Sequence, residues 1–240
     1  MIVERQMEKW DSKNGIFDYL QKMGVQNPDL YLAAGKDELE DPNRYLNIDI
    51  AAARLETAIE NREKVIILVD PDNDGLCSAA ICYDFLRRHG LNATPIFHYV
   101  PKAHGMRYGT TENLITEILS YSPNLLIIPD ASADVQSCAE LFQNGISILI
   151  IDHHVYDFSN NPYATIVNCL QQDNTNHAAS GTLVMQKVID RYCEMYGENQ
   201  IQNDDLVAMS LASDVMSMVP IENRAYMNLA MNECGGVKYE

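Results

Sequence analysis

Basic residues are scarce in this 240-residue chain: 17 Lys and Arg stand against 34 Asp and Glu, giving a formal charge of -17. That shortage excludes a nucleic-acid binder working through a broad basic face, because neutralising phosphates takes clustered Lys and Arg. The six cysteines (Cys77, Cys82, Cys138, Cys169, Cys193, Cys234) form no CxxC pair. Most sit inside apolar runs, where a reduced thiol behaves as a small hydrophobe, so a cysteine-bound structural zinc is excluded and a cytoplasmic location is expected. No hydrophobic run approaches the roughly 18 to 20 residues of a membrane span, and "MIVERQMEKWDSKNG" lacks the apolar core of a signal peptide, so neither membrane nor export is expected. Repeats, low-complexity tracts and Ser/Gly linkers are also missing. With 47% apolar residues the chain can bury a sizeable core.

What is present is an alternation. "NIDIAAARLETAIEN" (47–61) has helical spacing and leads into the β-branched run "KVIILVD"; the helix "LCSAAICYDFLRRHG" follows and stops at Gly90. The pattern then repeats: "ATPIFHYV" precedes "TTENLITEILSY", "NLLIIPD" precedes "ADVQSCAELFQNG", and "ISILIID" runs into two histidines. A short strand "ATIVN" closes the series. Near-continuous apolar strands between helices predict an α/β fold with a mainly parallel sheet covered on both faces. The last third, from "SGTLVMQKVIDRYCEMYG" through "NDDLVAMSLASDV" to "ENRAYMNLAMNEC", reads as helical. Residues 1–44 read as short helices packed against something else.

Ligands of an open parallel sheet bind beyond the carboxyl ends of its strands. Three strands here end in acid: "VIILVDPDNDG" supplies Asp70, Asp72 and Asp74, "LLIIPDASAD" supplies Asp130, and "ILIIDHH" supplies Asp152, His153 and His154. Taken singly, Asp72 or Asp74 reads as a cap of the next helix, and either histidine as a half-buried loop residue. Their coincidence on one rim reverses that reading. Crowded carboxylates raise one another's pKa unless a divalent cation lies among them, and hard oxygen ligands with one or two imidazoles suit manganese or magnesium, with cobalt as a further choice. A carboxylate bridging two ions is the usual construction of a two-metal phosphoryl-transfer site.

These residues resemble the DHH phosphoesterase superfamily, and within it the RecJ-like branch of single-stranded-DNA exonucleases. The first motif of that branch corresponds to "DPDNDGLCS" (70–78), the second to Asp130, the third to Asp152-His153-His154, and the fourth to Asp214 in "LASDVMSMV". Beyond the motifs, "VPIENR" with Asn223 and Arg224, "PKAHGMRYG", and "NCLQQDNTNHAASG" with Ser180-Gly181 fit further RecJ-like segments. The resemblance covers roughly residues 28 to 234. Ile66, Leu68 and Val69 occupy the stretch where members acting on small molecules place a His, which favours the RecJ-like branch.

The resemblance implies two divalent cations, manganese first, held by Asp70, Asp72, Asp130, Asp152, His153 and Asp214, with Asp130 or Asp152 as the bridge. His154 is implied as a ligand or as a contact to the scissile phosphate. Substrate contacts are implied at Asp74, Ser78, His104, Arg107, Ser180, Gly181, Asn223 and Arg224, with Lys102 beside them. It divides the chain into an N-terminal helical lead-in (1–45) and a DHH phosphoesterase domain (46–240), without the second, substrate-gripping domain of full RecJ-like enzymes. The expected activity is 5′-to-3′ degradation of single-stranded DNA by water activated between two metals. The alternatives are a phosphoesterase for short substrates (oligoribonucleotide, cyclic dinucleotide or adenosine bisphosphate), a non-catalytic RecJ-like partner subunit, and a catalytic half that needs a missing C-terminal domain or partner chain to complete its cleft.

Overall fold

The computed structural model describes residues 12–97, 112–155, 161–173 and 175–234. Within them the helices are α1 (Ser12–Lys22), α2 (Pro28–Ala33), α3 (Ile48–Glu60), α4 (Asn73–Arg88), α5 (Glu112–Tyr121), α6 (Val135–Gln143), α7 (Gly181–Tyr196), α8 (Asp204–Ser213) and α9 (Ile221–Cys234). The strands are β1 (Val65–Val69), β2 (Thr94–Phe97), β3 (Leu125–Pro129), β4 (Ser147–Asp152) and β5 (Thr165–Asn168). They form one parallel sheet in the order β2-β1-β3-β4-β5.

The apolar runs are continuous because both faces of the sheet are covered. Val65, Ile67 and Val69 of β1 join one core cluster with residues of α3, α4, α7 and α8, while Ile66 and Leu68 join another with residues of α5 and α6. β3 and β4 divide in the same alternating way, so every second side chain serves the opposite core. Among the described residues no helix is long and apolar enough to cross a membrane. Cys77, Cys82, Cys138, Cys169 and Cys193 are free and buried, and burial pushes the thiols of Cys82 and Cys169 up to about 12, which leaves them inert as nucleophiles.

Helix boundaries follow local signals. Ser180 caps α7 by accepting from the Leu183 N–H, and Gly197 ends it in the left-handed conformation, φ 69°. One boundary departs from the sequence expectation: α4 begins at Asn73, not at Leu76, because Asp72 Oδ1 caps it through the Gly75 N–H at 2.9 Å. The whole acidic motif after Asp72 therefore lies in the first helical turn.

The chain before α3 is stitched to the helical layer by polar groups. Tyr31 donates to the Met218 carbonyl at 2.7 Å, and Asn228 Nδ2 donates to the carbonyls of Leu32 and Ala34. Lys187 Nζ donates to the Glu40 carbonyl at 2.6 Å and pairs with Glu222 Oε1 at 2.5 Å, both side chains being 1% exposed. Breaking one side of a buried pair strands the other charge, at a cost of about 3–5 kcal/mol. Glu222→Ala is therefore expected to lower the unfolding free energy by about that amount, read as an earlier urea midpoint at unchanged slope.

Candidate metal centre

The strand order makes one switch point, between β1 and β3, where successive connections leave in opposite directions and a crevice opens at the carboxyl edge. The register decides what stands there. β1 pairs with β3 as Ile66↔Leu126, and β3 with β4 as Ile128↔Ile150. Continuing both pairings by the same offsets aligns Asp70, Asp130 and Asp152 in one row, and Asn168 of β5 lies opposite Asp152. Neighbouring strands are only about 4.8 Å apart, so three carboxylates from distant parts of the chain are forced together.

Asp70, Asp72 and Asp130 each present an oxygen within 4.8 Å of the others, and Asp130, Asp152, His153 and His154 present a second such group. Asp130 belongs to both. Its backbone leaves the strand at φ 57° while its N–H still bonds to the Ile151 carbonyl at 2.8 Å. Asp152 Oδ1 accepts from the N–H groups of His153 and His154 and from His154 Nδ1 at 2.8 Å. A carboxylate only accepts, so Nδ1 carries the proton and the ring orientation is set. Asn168 Nδ2 donates to the His154 carbonyl at 3.0 Å and pins the same loop.

His153 Nε2 lies 3.2 Å from Asp130 Oδ1, 3.5 Å from Asp214 Oδ2 and 3.6 Å from Asp74 Oδ2. None of these contacts has hydrogen-bond geometry. Asp130 Oδ1, Asp152 Oδ2 and His153 Nε2 are all buried without a hydrogen-bond partner, an arrangement that costs on the order of 1–3 kcal/mol per group in a finished core. Orphaned lone pairs converging on one place are what bound cations satisfy, and this donor set fits hard divalent ions.

The electrostatics agree. Burial, then the charge of Asp72, raises the Asp70 carboxyl to about 6. Burial, then the charges of Asp74 and Asp152, pushes Asp130 up to about 11. Asp214 is raised by burial and by Asp74, and His154 is raised chiefly by its bond to Asp152.

The structure places the residues expected to contact substrate as follows. Asp74 and Ser78 are 0% exposed. Because α4 starts early, Asp74 points inward and its oxygens accept from the N–H groups of Gly181 and Thr182 and from the Thr182 hydroxyl, at 2.6–2.8 Å. Ser78 bonds its own helix at the Gly75 carbonyl. Ser180 is a buried cap that also meets Ser210 Oγ at 2.7 Å. Asn223 is spent on the carbonyls of Ala178 and Ser217. Gly181 matters through what it lacks: a Cβ there would collide with the Asp130 carboxylate, 2.6 Å from its Cβ and 2.8 Å from its Cγ. Arg224 lies over the Tyr31 ring, 5.7 Å from its centroid. His104, Arg107 and Lys102 fall outside the described residues. Asp214 stands at the C-cap of α8 and not within the helix. Thr182 was missed altogether; the Ser-Gly-Thr run opening a helix was its signal.

Residues 64–213, more than half of the chain, match the DHH family, N-terminal domain. The chain belongs to the DHH family, as a RecJ-like member. The SPbeta prophage-derived protein YorK of Bacillus subtilis (strain 168), provisionally named a single-strand DNA-specific exonuclease, is 25% identical over 211 residues, covering 87% of this chain and 35% of YorK. The single-stranded-DNA-specific exonuclease RecJ of the same organism is 29% identical over 126 residues, which are 52% of this chain and 16% of RecJ. The crystal structure of RecJ with Mn2+ from Thermus thermophilus superposes with a TM-score of 0.69 at 21% identity, over 81% of this chain and 28% of that one. This DHH chain thus spans about a third or less of the length of these relatives.

Two outcomes follow. Gly181→Ala displaces Asp130 and is expected to weaken Mn2+ binding measured by calorimetry, with an overpacking cost of about 1–3 kcal/mol. For Asp130 the sign is set by its raised carboxyl: the folded form is favoured below the ordinary value of 3.8, and that contribution is lost as pH rises toward 11. Asp130→Asn should therefore melt higher than the metal-free parent, by a margin that widens from pH 4 to pH 8, while losing the stabilisation that Mn2+ confers on the parent.

Proposed function

We propose that the chain is the catalytic part of a metal-dependent phosphodiesterase that degrades single-stranded DNA from the 5′ end. The observation carrying this reading is the row of Asp70, Asp130 and Asp152 at the switch point, with three buried polar atoms lacking partners. Membership of the DHH family and relatives named for single-strand DNA exonuclease activity support it.

Asp70, Asp72, Asp130, Asp152, His153 and Asp214 would hold two divalent cations, manganese first, magnesium or cobalt in its place. Asp130, common to two donor groups, is favoured over Asp152 as the bridge. When bound, such ions supply Lewis acidity toward phosphate oxygens and lower the pKa of water. The protein's own part is orientation. Asp152 locks His154, whose side chain is 36% exposed and whose charged form the same bond favours, so the imidazole can hold a phosphate oxygen. Asp74 and Gly181 keep α7 against Asp130, and the apolar strands behind the row exclude water from it.

The charge of -17 favours a second reading in which the substrate is short, or in which a basic domain or partner chain completes the cleft. The test uses manganese with a 3′-labelled single-stranded DNA oligonucleotide beside a labelled RNA dinucleotide, and repeats both with Asp130→Ala and Asp152→Ala. Loss of 5′ nucleotides from the DNA, absent in both variants, is the expected result. Dinucleotide cleavage alone moves the chain to the short-substrate branch, and a flat salt series would accompany it because few phosphates are then contacted.

A further inference from the structure

Asp70, Asp72, Asp130, Asp152 and both histidines are placed by strand ends or by the loops leaving them. Asp214 is not. It arrives from the helical layer, at the C-cap of α8, where Val215 follows in the left-handed region at φ 55°. Its side chain is 29% exposed, and one carboxylate oxygen lies 3.5 Å from His153 Nε2, in a group of possible metal ligands that also includes Asp74. No ladder of backbone hydrogen bonds sets the distance from that helix end to the carboxylate row.

Two side-chain bonds tie down the last turn of α8. Ser210 Oγ meets Ser180 Oγ, the cap of α7. On the other side, Asn73, first residue of α4, reaches across with Nδ2 to Ser213 Oγ at 2.9 Å, and lies 3.4 Å from the Met209 carbonyl. Ser213 immediately precedes Asp214 and also bonds back to the Ser210 carbonyl. Asn73 in turn sits between Asp72 and Asp74. It is thus covalently joined to the first acidic motif and hydrogen-bonded to the residue carrying the last acid.

From this geometry we infer that Asn73, acting through Ser213, is a positioning residue that sets where Asp214 stands relative to Asp70, Asp72 and Asp130. It contributes no donor to the cluster itself, since its amide is spent on α8. The alternation in Asp70-Pro71-Asp72-Asn73-Asp74 then has a division of labour: Asp70 and Asp72 face the cation site, Asn73 braces α8 and Asp74 braces α7. The inference rests on the metal-centre reading above.

The test is Mn2+ calorimetry and Mn(II) electron paramagnetic resonance on the full chain, with Asn73→Ala, Ser213→Ala, the double variant and Ser213→Thr. Loss of a group that orients a metal ligand commonly weakens affinity by about 10-fold or more. Each alanine variant is expected to lose about that much affinity for one of two ions, at unchanged stoichiometry and with an altered line shape. The double variant should be no worse than either single, because both remove the same link, and Ser213→Thr, which keeps the hydroxyl at an exposed position, should bind as the parent does. Unchanged affinity and line shape in Asn73→Ala overturns the inference, as does loss of a whole ion in Asn73→Ala that Ser213→Ala does not share, which would make Asn73 a ligand. A parent chain that binds no manganese overturns the metal-centre reading itself.

Discussion

Like charges brought together with only partial internal compensation are the constraint on which this structure turns. Asp70, Asp130 and Asp152 occupy adjacent positions along the edge of a parallel sheet whose strand spacing cannot be relaxed, and burial raises the first two carboxyls well above their ordinary values. Among the described residues the bond from His154 compensates Asp152 in part, while Asp130 Oδ1 and Asp152 Oδ2 are left without a hydrogen-bond partner. His153 lies within ion-pair distance of Asp130 and Asp214 but hydrogen-bonds neither. The fold therefore carries local destabilisation at its rim and offsets it with the dense double core behind, as functional sites commonly do.

Much of the polar structure away from the rim serves to keep this arrangement from relaxing. Asp74 binds the N-terminus of α7 and holds Gly181 where only a hydrogen fits against Asp130. Asn176 and Asn223 bond each other, and Asn176 also bonds Glu222, which pairs with Lys187 and so reaches the chain before α3. Each link is buried, and each would cost more to break than an exposed contact of the same kind. The chain before α3 is thus continuous, through hydrogen bonds, with α7, which carries Gly181, and with α9.

The charge balance and the site point the same way. A surface with twice as many acids as bases does not attract a polyanion by its general field. Attraction is then local, arising where bound cations reverse the sign of the potential, and the reach along a strand is short unless another domain or chain extends it.

The strands, the covered parallel sheet and the acids at three strand ends were legible in the residues themselves, because apolar runs bounded by polar turns report burial on both faces and a parallel sheet presents its carboxyl ends together. Asp70, Asp130, Asp152 and the two histidines needed no more than that. What only the tertiary structure decided was the direction of side chains within one helical turn and the partners of buried polar groups. Asp74 and Ser78 lie among site residues in sequence, yet capping by Asp72 starts α4 three residues early and turns both inward. Ser180 and Asn223 are polar residues at loop ends whose hydrogen bonds reach across 30 to 45 residues. Periodicity is a local property and can be read along the chain; which buried donor meets which acceptor depends on how layers pack, and that is fixed only when the helices dock on the sheet.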